Sequence, residues 1–461
     1  MSPQASIEID RERVRHLTEL EEARLEEQTP KSLAFYLKAK ETLVGGVASG
    51  YQMRDPYPIY FTEGKGSKIR TIDGQELSDF HNAFGCMVQG HAHPVIVETI
   101  RRRCAQGTQF SLPTEDSFIV AQHLAKNFKL PKWRFVNSGS EATMDAIRIA
   151  RGFTGRDTVL KILGSFHGHH DYVMVSVMMY DTDLGPRDNY VSLPSGAGLP
   201  ESSVKMTVPV PFNDIEMMEV RIKRLIDEGR PPACLIMEPA MMNLGVILPE
   251  PGYLEAVREL TKKYGIVLIF DEVKTGITTA AGGGVERFGV VPDMVTLAKA
   301  LAAGLPSGAI GATEEIMALV ENWTVVQVGT YNGNPLCMAA ARASLEEVMT
   351  PAAYAHLDHL NDRLMTGIDA VTAKYGLPFS TIGIRSKGCV NLAAGKITDY
   401  ESFLKYQDPD LCNLAWLYDF NRGVLMCPGR EAEWTLSIQH TDEDIDRYVA
   451  AFAEMVHDVT Q

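Results

Sequence analysis

Short apolar runs of strand length alternate with helix-period segments through the middle of the chain. Between about residues 100 and 340 the runs are Trp133–Val136, Thr158–Leu163, Cys234–Met237 and Ile266–Phe270, with helices predicted from near Glu141 and over Leu254–Tyr264. Runs without polar alternation are strands covered on both faces, the pattern of a mostly parallel sheet flanked by helices, so an α/β fold is predicted. Upstream, residues 7–28 suit a charged amphipathic helix that Pro30 ends. Ile59–Phe61 and Ser67–Ile72 read as brief strands, the second turning through Asp73-Gly74 into Gln75–Leu77 as a hairpin. Beyond about 345, long helices over Tyr354–Tyr375 and Asp442–Val456 mix with short strands. Three regions follow: 1–95 with the first helix and short strands, 96–344 as a large α/β domain, and 345–461 as a smaller α+β domain. Asp181–Ser203 reads as a long Gly/Pro-containing loop, and loops of that length in compact domains are often functional.

Charge narrows the partners. Of 461 residues, 44 are Lys or Arg and 59 Asp or Glu, a formal net charge of -15. So acidic a surface argues against nucleic acid or an anionic membrane, while leaving room for a local basic pocket. No window holds eighteen uninterrupted apolar residues, so no membrane span is expected. The first thirty residues alternate acidic and basic side chains, unlike a secretory signal. The seven cysteines are scattered without a CxxC pair, which reads as reduced thiols in a cytoplasmic protein and not as disulfides or a zinc site.

Four segments could carry chemistry. In Val136–Ala142 a strand gives way to a helix through Asn137, Ser138, Gly139 and Ser140. The free amides and hydroxyls there suit a phosphate, and an ordinary N-cap with Glu141 in the first turn is the alternative. Ser165–Asp171 holds Phe166, His167, His169 and His170. His167 and Asp171 could begin a metal centre, but the adjacent histidines point apart, and an aromatic platform for a flat ring is the competing reading. In Ile269–Val273, Asp271 follows a wholly apolar run, at the strand end where open α/β sheets place ligands, and could keep a partner nitrogen protonated; a helix cap or surface turn is the plainer alternative. In Asp293–Gly308, Lys299 is isolated among apolar and tiny residues. A desolvated lysine is a usable amine nucleophile, whereas a snorkelling surface lysine would be inert. Lys274 competes for the role but lies in a polar turn and is expected to be solvated. A phosphate site, a ring platform, a carboxylate for a ring nitrogen and a lone lysine together are what pyridoxal phosphate requires.

At these residues the chain resembles the class III (ornithine-type) aminotransferases of fold type I, most closely the glutamate-1-semialdehyde aminomutase branch, in order from about Gly45 to Gln439. The resemblance implies pyridoxal 5′-phosphate bound as a Schiff base to Lys299, with Asp271 on the pyridinium and Val273 against one ring face. It places Phe166 where a stacking tyrosine is usual in Tyr-His-Gly. Ser138, Gly139 and Ser140 would hold the phosphate, and His167, Glu238 and Asn243 would lie around the ring, Asn243 near the 3-hydroxyl. Thr330 would reach the phosphate of the neighbouring subunit, which implies a homodimer with shared active sites. No metal is implied.

The departures bear on substrate. Gln52 stands where aminomutases carry an arginine for the substrate carboxylate, which leaves Arg54 as a substitute if the loop shifts. Val177–Pro186 and a longer loop replace a glycine-rich gating segment. Arg430, in Pro428–Trp434, resembles the carboxylate-binding arginine of some β-amino-acid aminotransferases; the alternative is a surface arginine paired with Glu431 or Glu433. Tyr51, Met178 to Tyr180, Arg430 and Trp434 are candidates for the substrate wall. The expected activity is amino transfer from an amine or amino acid to a keto acid or ketone. An aminomutase, a metal-dependent hydrolase built on His167 and Asp171, and a non-catalytic cofactor-binding relative are the alternatives.

Overall fold

The apolar runs form a seven-stranded sheet. The computed structural model describes residues 9–392, 395–429 and 431–461. Three strands precede this sheet: β1 (Phe61–Lys65), β2 (Lys68–Thr71) and β3 (Glu76–Asp79). The sheet itself is built from β4 (Lys132–Val136), β5 (Thr158–Ile162), β6 (Thr207–Val210), β7 (Pro232–Met237), β8 (Val267–Asp271), β9 (Met294–Leu297) and β10 (Gly308–Ala312), in the order β4-β10-β9-β8-β7-β5-β6. The pairings among β5 to β9 are parallel, while β10 runs antiparallel to both β4 and β9. Every residue of β5 to β10 is buried, which explains why these runs carry no polar alternation.

The helix Gly139–Thr154 lies on this sheet. Ala142, Ala146, Ile147, Ile149 and Ala150, the face predicted to be inward, are at most 1% exposed and cluster with Ile236, Ile269 and Ile310. The helix Tyr253–Tyr264 follows β7 and precedes β8, as the spacing predicts.

Early and late segments of the chain meet. The predicted hairpin through Asp73-Gly74 is present, and β3 also pairs in parallel with β13 (Val424–Leu425) near the other end of the chain. Asp444, in the helix Asp442–Val459, accepts from Ser67 Oγ at 2.8 Å and Ser78 Oγ at 2.6 Å and pairs with Lys68. The strands β11 (Ser380–Ile384), β12 (Lys387–Asn391) and β14 (Ala432–Thr435) form a third, antiparallel sheet in the order β11-β12-β14. The first helix spans Arg11–Gln28, and Pro30 then opens a second one, Pro30–Ala39. Proline is tolerated at a first helical position because its missing N–H would have no partner there. Asp181–Ser203 contains no strand and only the first residues of a short helix, Glu201–Met206.

Candidate active site

All four chemistry-bearing segments arrive at one edge of the seven-stranded sheet. The parallel strands present their carboxyl ends there: β4 leads to Ser138, β5 to His167, β7 to Glu238, β8 ends on Asp271, and β9 leads to Lys299. The antiparallel β10 contributes its amino end, Ser307. Between them lies a cavity of about 280 Å³, bordered by Ser138, Phe166, Glu238, Asp271, Val273 and Lys299 among others. Carboxyl strand ends are where open α/β sheets bind ligands, because loops leaving the strands diverge and leave a crevice.

Asp271 forms the floor. It is 3% exposed; its Oδ2 lies 2.7 Å from His167 Nδ1, and its Oδ1 accepts from Val273 N at 3.0 Å and Thr296 Oγ1 at 3.2 Å. Burial holds the His167 pKa below its ordinary value, opposed by Asp271. A neutral ring therefore places its proton on Nδ1 toward Asp271, with Nε2 2.9 Å from Ser165 Oγ. His167 is thus engaged by Asp271 and Ser165, while Asp171 is exposed, and among the described residues no group of three or more His, Cys, Asp or Glu is placed to hold an ion.

Lys299 lies one residue past Ala298, with φ of 47°. Burial, with the neighbouring Lys274 ammonium, pushes its amine pKa down. It makes no hydrogen bond or ion pair among the described residues, the condition of an available amine. At the other end of the cavity, the N-cap reading of Ser138 is met, and it leaves the phosphate reading open. Its side chain caps the helix by accepting from Glu141 N at 3.2 Å, and the amides of Gly139 and Ser140 have no acceptor among the described residues. Ser140 Oγ lies 3.0 Å from His169 Nδ1 and accepts from His169 N at 3.2 Å, tying the helix start to the Phe166 loop. Glu238 is 2% exposed and pushed up to about 8, by burial first and then by Asp271. Its Oε1 accepts from Asn243 Nδ2 at 2.9 Å, whereas its Oε2 has no partner among the described residues.

Two expectations change, those for Lys274 and Trp434. Lys274 is not solvated: it is 4% exposed, with Nζ 3.0 Å from Glu433 Oε2, because the turn after β8 packs beneath β14. Trp434 does not line the substrate wall. It is fully buried on β14, where Nε1 donates to Asn361 Oδ1 at 3.0 Å, and alternation along the strand turns it away from the side of its neighbour Glu433. Thr330 is exposed and outside the cavity, with Gln109 Nε2 donating to its carbonyl at 2.8 Å. Arg430 lies outside the described residues.

A second cavity of about 760 Å³ adjoins the first, sharing Cys86, Phe166, Asn243, Lys274 and Lys299. Tyr51, Arg54, Met178 and Tyr180 line it. The Tyr51 ring stands edge-on to Phe166, centroids 5.9 Å apart. Arg54 lies over the Trp416 ring at 3.3 Å and donates to Asn413 Oδ1 at 3.1 Å. Gln52 turns back to its own loop and accepts from Ala48 N at 3.0 Å. Sequence reasoning missed Ser307, whose buried Oγ has no partner among the described residues, together with Cys86 on the inner cavity wall and Thr296 beneath Asp271. The only signal for Ser307 was its place in the small-residue run after Lys299.

Fold and site define a pyridoxal-phosphate enzyme, and comparison with known proteins agrees. Residues 50–395 match the family model described as Aminotransferase class-III. Glutamate-1-semialdehyde 2,1-aminomutase 2 of Brevibacillus brevis is 36% identical over 426 residues, covering 91% of this chain and 97% of that protein. Among solved structures, an omega-transaminase from Sphaerobacter thermophilus superposes with a TM-score of 0.88 at 31% identity, over 93% of this chain and 98% of its own. A glutamate-1-semialdehyde-aminomutase from Pseudomonas aeruginosa does so with 0.88 at 28% identity, over 98% and 99%. The chain belongs to the class III aminotransferases, enzymes of fold type I that use pyridoxal phosphate. The residues present fit that cofactor: a lone unbonded lysine, a buried carboxylate, and two buried polar atoms of the cavity wall, Glu238 Oε2 and Ser307 Oγ, that lack partners.

Proposed function

We propose that the chain is a transaminase, moving an amino group from an amine or amino acid to a keto acid or ketone. The observation that carries this reading is the unpartnered Lys299 amine, standing where the Asp271 cavity opens into the larger one. Ser138, Gly139 and Ser140 would hold the cofactor's phosphate, Phe166 and Val273 would flank its ring, Asn243 would lie near its 3-hydroxyl, and Asp271 would pair with its ring nitrogen. Bound there, pyridoxal phosphate supplies an electron-withdrawing ring that acidifies the carbon bearing the amino group. Lys299 Nζ moves the proton on and off that carbon, its lowered pKa favouring the neutral base. His167 keeps Asp271 oriented, and Tyr51, Arg54, Met178 and Tyr180 enclose the substrate. The Gln52 side chain, hydrogen-bonded within its own loop, favours intermolecular transfer over an aminomutase reaction that would call on a cation there.

A homodimer follows from the same reading. Thr330 lies in an exposed apolar ribbon with Trp323, Val326, Val328 and Tyr331, which are 52% to 69% exposed. A patch of this kind supports an interface that would carry Thr330 to a neighbouring site. The division at 1–95, 96–344 and 345–461 is part of this proposal, with the first region shared between the smaller domain and the interface. No helix among the described residues is long and apolar enough to cross a membrane, and all seven cysteines are unpaired, which supports a reducing cytoplasmic setting.

Borohydride reduction of the loaded enzyme followed by peptide mapping tests the core of the reading. A cofactor tag on Lys299, with amino exchange between an added amine and a keto acid, is expected. A tag on another lysine overturns it.

A further inference from the structure

The turn after Asp271 buries an ammonium that amino transfer as described does not use. Lys274 Nζ donates to the Met242 carbonyl and pairs with Glu433 Oε2 at 3.0 Å. Glu433 is shared: its Oε1 lies 3.4 Å from Lys387 Nζ, which also donates to Thr435 Oγ1 at 2.8 Å. None of the three side chains is more than 5% exposed. Two ammonium groups thus surround one carboxylate, and no second carboxylate among the described residues pairs with either. Glu22 and Asp55 border the outer cavity, yet ion-pair with neither lysine. Glu238 borders the inner cavity, but burial pushes it up to about 8, so at neutral pH it is mostly uncharged. One buried positive charge is left over, and such a charge is costly until an anion meets it.

Only one of the two lysines can receive that anion. Lys387 has its three N–H groups directed at Phe84 O, Glu433 and Thr435, and it borders neither cavity. Lys274 has two of its three engaged and borders both cavities, beside Lys299. We propose that Lys274, clamped by Glu433 and the Met242 carbonyl, is the carboxylate-reading group of this enzyme, selecting amino acids and oxo acids over uncharged amines and repelling diamines. This inference rests on the transaminase reading and names the substrate class of its site. A charge-assisted hydrogen bond from a fixed ammonium is strong enough to set such a preference.

The test uses full-length loaded enzyme and an unreactive ligand pair, 3-phenylpropionate and its uncharged amide, titrated calorimetrically. Wild type is expected to prefer the acid, and Lys274→Met to lose about 10- to 100-fold of that preference, with Lys274→Arg retaining most of it. Lys274→Met leaves Lys387 and Glu433 as a balanced pair, so no buried charge is orphaned, and Lys274→Gln serves as a second neutral variant. The ratio of half-reaction rates with L-phenylalanine and with 1-phenylethylamine should fall in parallel. The inference is overturned if wild type shows no preference for the acid, if neutral variants keep it, or if Arg54→Gln alone abolishes it. Those outcomes with a cofactor tag intact on Lys299 sink only this inference, whereas a missing tag sinks the transaminase reading itself.

Discussion

His167 Nδ1 and Asp271 Oδ2 lie 2.7 Å apart, joining the ends of two strands across 104 residues of sequence. Both groups are buried, and the neutral imidazole can only donate to that oxygen if its proton is on Nδ1. The carboxylate is thereby fixed from one side by His167 and from the other by Val273 N and Thr296 Oγ1. A carboxylate held by that many donors keeps one rotamer, which is what a partner for a ring nitrogen needs.

Asp271→Asn keeps the size and the acceptor for Val273 N and Thr296 Oγ1 but removes the charge, and its amide nitrogen can face His167 only if that ring carries its proton on Nε2. The first half-reaction is expected to slow by at least about 100-fold, the low end of what positioned proton transfer contributes. Borohydride should still tag Lys299, because the lysine and the phosphate cradle are untouched. Stopped-flow measurement with an excess of amine checks this, and a rate within threefold of wild type, roughly 0.7 kcal/mol, would contradict the role given to Asp271.

Lys161 supports the same turn from inside the sheet. It is fully buried on β5 and donates to Ser165 O at 2.8 Å and Val175 O at 2.9 Å, without a carboxylate partner. Burial depresses its pKa to about 7 from 10.5. The folded state therefore holds this proton less tightly than the unfolded chain, and the lysine's contribution to stability rises with pH between about 7 and about 10.5. Lys161→Met strands two carbonyls, at about 1–3 kcal/mol each. A lower Tm is expected, with a shallower rise in Tm from pH 7 to 9 than wild type shows.

Glu238 has the opposite sign. Burial lifts its pKa from 4.5 to about 8, so the folded protein keeps a proton that the unfolded chain has lost. Stability from this group falls as pH rises between about 4.5 and about 8, and Glu272, lifted to about 7 by burial, shares the window. Glu238→Gln keeps the acceptor for Asn243 and cannot ionise. Its apoprotein should lose less Tm between pH 6 and pH 8 than wild type, by differential scanning calorimetry.

Much of the fold and site is legible in the amino-acid sequence, for a physical reason. Strands buried on both faces must be continuously apolar, so Cys234–Met237 and Ile266–Phe270 stand out, and the residues just past them fall at one sheet edge. Asp271 and Lys299 can therefore be picked out as candidates from pattern, whereas Glu238 enters only through the family resemblance. What pattern cannot convey is burial created by distant chain. The Lys274 turn is polar in sequence, and it becomes dry only because Glu433, 159 residues away, arrives with a matching charge. Trp434 resembles a substrate-wall aromatic, and only the alternation of β14 reveals which of two adjacent residues faces the site. Ser307 sits at the amino end of β10, and only the antiparallel pairing of that strand with β9 brings it to the edge where the others end.

Gly168 links backbone geometry to cofactor affinity. It adopts φ of 102°, and a Cβ at that position would lie 2.6 Å from Ser140 Oγ and 2.8 Å from Ser140 Cα. The Phe166–His169 loop can thus approach the helix start only because residue 168 has no side chain. Gly168→Ala meets both obstacles: a φ that L residues rarely adopt, at about 1–3 kcal/mol, and a contact with backbone that cannot rotate away. The least costly relaxation moves the loop off Ser140, breaking the His169–Ser140 contacts and shifting Phe166 relative to Val273. The variant is expected to fold with a Tm lowered by several degrees and to bind pyridoxal phosphate at least about tenfold more weakly, a difference of roughly 1.4 kcal/mol. Fluorescence titration of the apoprotein measures that affinity; a wild-type value would mean that the approach of loop to helix does not shape the phosphate end of the site.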